Sequence, residues 1–337
     1  MESLWMMLGG VVLFLFGITL LGEYLRELEG GRAERLLRRA TEGRWRGFLL
    51  GFLVTAVVQS SSAVTVMTVS LADTGILTLG QIIPVMIGSN LGTTATAWLL
   101  CFRTETSSGP ELTVIIACIG LLLYLLVPRR KVWGGLLLAL FLLFVGMERM
   151  AAAAAPIAGT AAFRQLTEMA VNPLATLLAG TIFTGVIQSS SASIGLLQAF
   201  STADSVTWGM GVPLVLGGNI GTCVTVLLAS VGCGANAKRA AFAHLKYNIF
   251  GAAALLPLWL LFGGPMQDRL IDPVGIAAVH TAFNLISAVF LLPAFDGLTG
   301  FFRIPEKGRQ RLPSRCPVRF GKRISGVVSG GKRYVRK

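Results

Sequence analysis

The sequence predicts an all-α integral membrane protein made of two inverted-topology repeats, each with a re-entrant helical hairpin and a broken transmembrane helix. Three observations carry that prediction. The 337-residue chain is 54% hydrophobic and only 13% charged, with a mean hydropathy of +0.72. A block of sequence recurs at a constant offset. The basic residues are spaced so that the two copies face opposite ways.

Soluble domains carry about 25% charged residues, so this chain has too few charges to cover a water-facing surface. Bilayer crossings need apolar runs of about 17–25 residues. Such runs are predicted at 5–22, 79–101, 111–127, 133–150, 206–230, 243–262 and 276–295. The first is expected to stay as a membrane helix, because Met1-Glu2-Ser3 offers no positive n-region and no A-x-A-like site follows. The five cysteines (Cys101, Cys118, Cys223, Cys233 and Cys316) form no C-x-x-C pair and no disulfide framework. They are expected to act as small buried apolar residues.

The net charge of +13 resides almost wholly in residues 303–337, which hold twelve Lys or Arg and one acid, Glu306. A basic tail drawn to anionic headgroups explains this charge. No nucleic-acid-binding motif accompanies it, so no nucleic-acid partner is expected.

The duplication is read by laying 51–100 over 180–229, an offset of 129 with no gap and about a third of positions identical. Gln59-Ser60-Ser61-Ser62-Ala63 falls on Gln188-Ser189-Ser190-Ser191-Ala192. Thr55, Pro84, Gly88, Asn90, Gly92, Thr93 and Thr96 fall on Thr184, Pro213, Gly217, Asn219, Gly221, Thr222 and Thr225. Apolar composition alone would align leucines, not these polar and glycine positions. The offset extends back to Phe14-Leu15-Phe16-Gly17 over Leu143-Phe144-Val145-Gly146. A shorter echo pairs His244-Leu245-Lys246-Tyr247-Asn248 with His280-Thr281-Ala282-Phe283-Asn284. Duplicated units in a membrane protein point to a transporter with its site at the repeat interface.

Loop charge sets the orientation. The basic stretch 26–46, Arg129-Arg130-Lys131, Lys238-Arg239 and the tail should all be cytoplasmic. Helix 5–22 then runs inward, the hairpin at 47–73 is entered from inside, and the hairpin at 176–201 is entered from outside. Seven spanning helices and two hairpins result, with the N-terminus outside. The expected units are 1–130, 131–300 and a basic cytoplasmic tail at 301–337.

Gln59-Ser60-Ser61-Ser62 interrupts an apolar run, and unpaired polar groups in hydrocarbon cost several kcal/mol. Such a segment must be buried in protein or line a wet cavity. Hydroxyl and amide oxygens are hard ligands for a small cation. Their hydrogens, and backbone N–H groups freed at a helix start, can hold an anion. Two such runs at equivalent repeat positions favour a ligand site over simple helix packing.

Pro84-x-x-x-Gly88-Ser89-Asn90-Leu91-Gly92-Thr93-Thr94 and Pro213-x-x-x-Gly217-Gly218-Asn219-Ile220-Gly221-Thr222-Cys223 predict discontinuous helices. In that reading Thr93 and Thr222 begin second half-helices as N-caps. A glycine-lined packing seam is the structural alternative. Asp73 and Asp204 lie near the hairpin ends, and no chain of acids and histidines crosses the core for a proton relay. Neutral oxygens therefore favour sodium over protons, and amide and hydroxyl dipoles suit an anion without a fixed Lys or Arg. His244 and His280, each a turn before Asn248 or Asn284, are expected to hydrogen-bond the repeat core rather than bind metal.

Paired Q-S-S-S-A motifs, each followed by G-x-N-x-G-T, resemble the bacterial type II sodium/phosphate cotransporters. The resemblance runs from about Leu13 to about Pro293. It implies sodium-coupled symport of inorganic phosphate across the cytoplasmic membrane by alternating access, with no enzymatic activity and no cofactor beyond Na+ as coupling ion. By position, substrate and ion binding would fall on Gln59, Ser60, Ser61, Ser62, Asn90, Thr93 and Thr94, and on Gln188, Ser189, Ser190, Ser191, Asn219 and Thr222. Sodium would be shared among Gln59, Ser60, Ser61, Gln188, Ser189, Ser190, Asn90 and Asn219. Cys223 stands where the first repeat has Thr94, Tyr247 replaces the usual Phe, and only a short tail follows the last helix. The expected partners are phosphate, sodium and the lipid bilayer; homo-oligomerisation is left open.

Three other readings remain at this point. The same fold could carry or export another small oxyanion, or act as a passive anion channel. An intramembrane serine hydrolase using His244 or His280 is disfavoured, because the serines come as duplicated triplets and no G-x-S-x-G occurs.

Overall fold

The computed structural model describes residues 2–30, 43–105, 110–169 and 172–301. Among these, every regular element is a helix, and the one β-type contact is an isolated bridge between Thr207 and Leu270. In chain order the helices are α1 (Glu2–Glu29), α2 (Arg44–Val58), α3 (Ser61–Asp73), α4 (Leu79–Glu105), α5 (Pro110–Leu126), α6 (Lys131–Ala158) and α7 (Ala161–Met169). They continue as α8 (Pro173–Ile187), α9 (Ser190–Ser201), α10 (Trp208–Gly221), α11 (Cys223–Ser230), α12 (Ala235–Phe262) and α13 (Pro273–Phe301).

Five helical stretches are long and apolar enough to cross a membrane: Glu2–Glu29, Pro128–Ala158, Trp208–Ser230, Ala235–Phe262 and Pro273–Pro293. Their outer faces carry exposed Val12, Phe16, Leu261, Phe262 and Phe290. An apolar exterior of this kind suits lipid, so the chain is a multi-pass membrane protein. Most predicted spans underestimate their helices, because each helix continues past its apolar run into polar residues. Two basic sites expected in loops are helical for that reason: Arg26 lies in the last turn of α1, and Lys238 and Arg239 lie in the first turn of α12. Helix α7 was not expected at all; its Phe163 stacks on Phe200 of α9 at 5.2 Å.

Small residues bring the helices together. A Cβ on Gly17 would overlap the backbone of Leu143, and one on Gly146 would overlap the backbone of Phe14. Leu143 and Gly146 are the repeat counterparts of Phe14 and Gly17, so α1 and α6 make the same contact reciprocally. Gly10 meets Met150, so the register falls along α6 as it rises along α1, and the two helices run antiparallel.

The same device recurs within each unit. Gly51 and Gly88 set α2 against α4 at the Val85 and Phe48 carbonyls, and Gly180 and Gly217 set α8 against α10 at the Leu214 and Leu177 carbonyls. All eight positions correspond at the offset of 129.

The first broken helix is not broken. Helix α4 is continuous through Gly88, Asn90 and Gly92. Pro84 lies in its second turn, where it removes one early backbone bond, and the glycines are spent on close approach to α2. In the second unit the interruption is only Thr222, itself in helical conformation (φ −61, ψ −22). Neither threonine caps a half-helix: Thr93 Oγ1 donates to the Ser89 carbonyl at 3.1 Å and Thr222 Oγ1 to the Asn219 carbonyl at 2.6 Å.

Cys101 and Cys223 are buried and Cys118 is exposed, all three outside any disulfide. Cys233 is disulfide-bonded, against the expected free thiol. Cys316 and the basic tail lie outside the described residues.

Candidate functional site

Both Gln-Ser-Ser-Ser segments sit at breaks between helices. Gln59 ends α2 in the left-handed region (φ 55, ψ 27), and Gln188 ends α8 the same way (φ 57, ψ 23). Left-handed backbone is costly for a side chain other than Gly or Asn, and such outliers concentrate where the surroundings enforce them. Ser60 and Ser189 follow in extended backbone. Their Oγ atoms accept from the Ala63 and Ala192 N–H groups, each at 3.2 Å. These two serines are therefore the N-caps of α3 and α9. In the first turn of each helix, the N–H groups of residues 61 and 62, and of 190 and 191, have no helical partner. Two helix starts thus present free donors and the positive ends of their dipoles at the breaks.

The structure brings both breaks to one cavity of about 220 Å³. It is lined by Gln59, Ser60, Ser61, Ser62, Gln188, Ser189, Ser190 and Ser191, together with Ile18, Thr19, Gly22 and Arg26 of α1. A Cβ on Gly22 would stand 3.2 Å from the Val58 carbonyl, so glycine there lets α1 approach the end of α2. All eight Gln and Ser positions expected from the sequence meet here. Arg26 was not expected, and the anticipated wall without a fixed Arg or Lys is corrected. The signal for Arg26 in the sequence is its place one turn after Gly22, on the Ile18–Thr19–Gly22 face of α1.

The other expected residues lie elsewhere. Asn90 is buried and donates through Nδ2 to Asn248 Oδ1 at 2.9 Å, while His244 Nε2 lies 2.9 Å from Asn90 Oδ1. Asn284 Nδ2 lies 3.3 Å from Asn219 Oδ1, and Asn219 Nδ2 donates to the Val215 carbonyl at 2.9 Å. His244 and Asn248 therefore brace α4, as expected, and Asn284 reaches α10, but His280 Nδ1 is buried without a partner; both His–Asn pairs lie inside α12 and α13 rather than at their starts. Thr93, Thr94 and Thr222 back-bond to their own helices. None of Asn90, Thr93, Thr94, Asn219 and Thr222 lines the cavity of the serine segments. Asn219 instead borders a second, largely apolar cavity of about 300 Å³ beside α8, α9 and α10, which Ser190 also lines. Asp73 Oδ1 accepts from the Gly234 N–H at 2.6 Å, tying α3 to the start of α12.

Thr96, matched to Thr225 in the repeat, joins the two breaks. Its Oγ1 donates to Gln59 Oε1 at 2.7 Å and accepts from Ser191 Oγ at 3.4 Å. Gln59 Nε2 also donates to the Ala56 carbonyl at 2.5 Å. The arrangement is asymmetric, because Thr225 Oγ1 is buried without a partner. Among the described residues no group of His, Cys, Asp and Glu could hold a metal ion. What the cavity offers is neutral oxygens, hydroxyl and backbone hydrogens and one guanidinium. That donor set suits a small oxyanion together with a hard monovalent cation, not acid–base or nucleophilic chemistry.

Comparison with known proteins agrees. The model of the Na+/Pi-cotransporter family matches residues 13–152 and 142–267. YqeW of Bacillus subtilis (strain 168) is 29% identical over 287 residues, covering 84% of this chain and 92% of its own. YjbB of Escherichia coli (strain K12), named for inorganic phosphate export, is 24% identical over 329 residues, covering 94% of this chain. The match takes in only 59% of YjbB's own length. The rabbit (Oryctolagus cuniculus) sodium-dependent phosphate transport protein 2A is 46% identical over 50 residues, covering 15% of this chain and 8% of its own. No solved structure matches. The family, YjbB and the rabbit protein are named for transport, not for an enzymatic activity.

Proposed function

The chain belongs to the Na+/Pi-cotransporter family, and from that premise we propose that it carries inorganic phosphate across the cytoplasmic membrane by sodium-coupled symport and alternating access. One observation carries the proposal: both Gln-Ser-Ser-Ser breaks, with their two helix N-termini, line a single cavity of about 220 Å³. Phosphate oxygens are met by the first-turn N–H groups of α3 and α9 and by the Gln59 and Gln188 amides. Sodium is held by neutral oxygens of the same segments. The Asn90–His244–Asn248 and Asn219–Asn284 contacts hold the frame around them.

The inverted arrangement of units 1–130 and 131–300 is supported by the antiparallel, reciprocal contact of Gly17 and Gly146 across α1 and α6. A two-fold relation between the halves makes such a contact, and an axis in the membrane plane makes it antiparallel. Re-entrance of the two hairpins is supported by length. Helices α2, α3, α8 and α9 have 15, 13, 15 and 12 residues. At about 1.5 Å per residue each is shorter than a hydrocarbon core of about 30 Å. Cytoplasmic placement of the basic residues at 26–46, 129–131 and 238–239 then gives an N-terminus outside and a tail in the cytoplasm.

The test is uptake of labelled phosphate into proteoliposomes under an imposed sodium gradient. Sodium-dependent uptake is expected, and its loss in Gln59→Ala and Gln188→Ala. Equal uptake with potassium in place of sodium would refute the coupling. Export is the second reading, favoured by the name of the YjbB relative. Phosphate efflux that runs without sodium, with no sodium-driven uptake, would establish it. Competition by arsenate, sulfate and carboxylates defines the oxyanion.

A further inference from the structure

We infer that Arg26 is the charge that captures the anion at the mouth of the serine cavity and sets its affinity there. The inference rests on the phosphate reading above and deepens it. Arg26 is the one charged residue on a wall otherwise made of serine, glutamine and α1 side chains. Its Nε donates to the Gly22 carbonyl at 2.9 Å, which fixes the guanidinium against the last turn of α1. Among the described residues, neither an acceptor nor a carboxylate is paired with its terminal –NH2 groups. A planar guanidinium with two free donor arms suits a tetrahedral oxyanion, which it can grip through two oxygens.

A cation in the last turn of a helix also complements the helix dipole. That role explains a positive residue anywhere in the turn. It does not explain why Arg26 shares the face of Ile18, Thr19 and Gly22, the face that lines the cavity. In the proposed orientation α1 ends on the cytoplasmic side, so Arg26 stands between the serine segments and the cytoplasm. A positive charge there draws the anion in and opposes sodium, and cavity walls focus its field.

This sign difference separates recognition from mere structure. In proteoliposomes, Arg26→Gln should raise the phosphate KM about three- to tenfold, as expected for one lost charge-assisted contact at an exposed site. The maximal rate should stay within about twofold, and the sodium KM should be unchanged or lower. The series Arg26→Lys, Arg26→Gln, Arg26→Glu should raise the phosphate KM in that order; if one variant fails to fold, the other two still fix the sign. Arg129→Gln, on the Pro128–Arg130 turn away from the cavity, should change nothing. A phosphate KM indifferent to the charge at 26, or phosphate and sodium KM rising together, would overturn the inference.

Binding of labelled phosphate to the solubilised full chain keeps the two readings apart. If the parent binds phosphate, more tightly than Arg26→Gln, yet moves none with sodium, the transport proposal fails and this inference stands. If the parent binds no phosphate, this inference falls.

Discussion

The Gln59 carboxamide oxygen accepts a hydrogen bond from Thr96 Oγ1 at 2.7 Å. Because Thr96 also accepts from Ser191 Oγ at 3.4 Å, a residue of α4 ties the first break to the second. Its repeat counterpart Thr225 has a buried hydroxyl with no partner. The two halves thus share a sequence pattern but not a hydrogen-bond pattern. Thr96→Val should lower stability by about 1–2 kcal/mol, since it strands the Gln59 oxygen. Thr225→Val should be neutral or stabilising, since it replaces an unpaired buried hydroxyl with a methyl group. Thermal unfolding of the solubilised variants reads both. Equal losses at the two sites would contradict the asymmetry.

The left-handed glutamines give a second prediction. At Gln188, whose side chain is exposed, the backbone at φ 57 favours glycine by about 1 kcal/mol. Gln188→Gly should therefore keep or slightly raise the unfolding midpoint while abolishing sodium-driven phosphate uptake. Val186→Gly, two residues earlier in helix α8, should instead lose about 0.5 kcal/mol, the difference between the helix propensities of valine and glycine. A Gln188→Gly variant as destabilised as Val186→Gly would mean that no strain is held at the break. Stability gained where function is lost is the usual signature of a residue kept for its chemistry.

Glycine packing gives a third. Ala at Gly88 or Gly217 would drive a methyl group into the Phe48 or Leu177 carbonyl oxygen. Because the obstacle is backbone, relief requires α2 or α8 to move, and each change should cost about 3 kcal/mol or more. Gly9, with nothing within 4 Å of its added Cβ, should tolerate Ala and gain up to about 1 kcal/mol in helix propensity. The yield of monodisperse protein on size-exclusion chromatography checks all three. Full recovery of Gly88→Ala would show that the seam is looser than drawn.

The residues legible in sequence were those whose chemistry conflicts with an apolar run. Gln59-Ser60-Ser61-Ser62 and its copy break their helices where expected, since a polar cluster and a Ser N-cap act locally. What depends on packing was harder to read. Pro84 and Gly88 look alike whether a helix unwinds or a neighbour approaches; the Phe48 carbonyl decides for approach, and no local pattern contains it. Asn90 and Asn219 read as ligands because their partners His244, Asn248 and Asn284 lie 65–158 residues away. Arg26 was hidden by charge arithmetic. Counted with the basic loop at 26–46, it served to orient the chain, while its helical register with Gly22 pointed at the cavity.

The buried asparagine pairs support a final prediction. Asn90 and Asn248 are joined at 2.9 Å, and Asn90 also meets His244 at 2.9 Å. The corresponding Asn284–Asn219 contact is longer, at 3.3 Å, and Asn284 Oδ1 is buried without a partner. Removing one member of a tight pair leaves a buried amide unpaired at about 1–3 kcal/mol, whereas removing both relieves that cost. A double-mutant cycle with leucine at 90 and 248 should thus give a coupling of about 1–2 kcal/mol. The cycle at 219 and 284 should stay near the average of about 0.6 kcal/mol for polar contacts between membrane helices. Unfolding midpoints of the six variants in one detergent supply both cycles. If the second coupling equals or exceeds the first, the frame around α4 is no tighter than the frame around α10. The half in which Gln59 is tied to Thr96 would then not be the more rigid half, and alternating access would have to be divided equally between the two units.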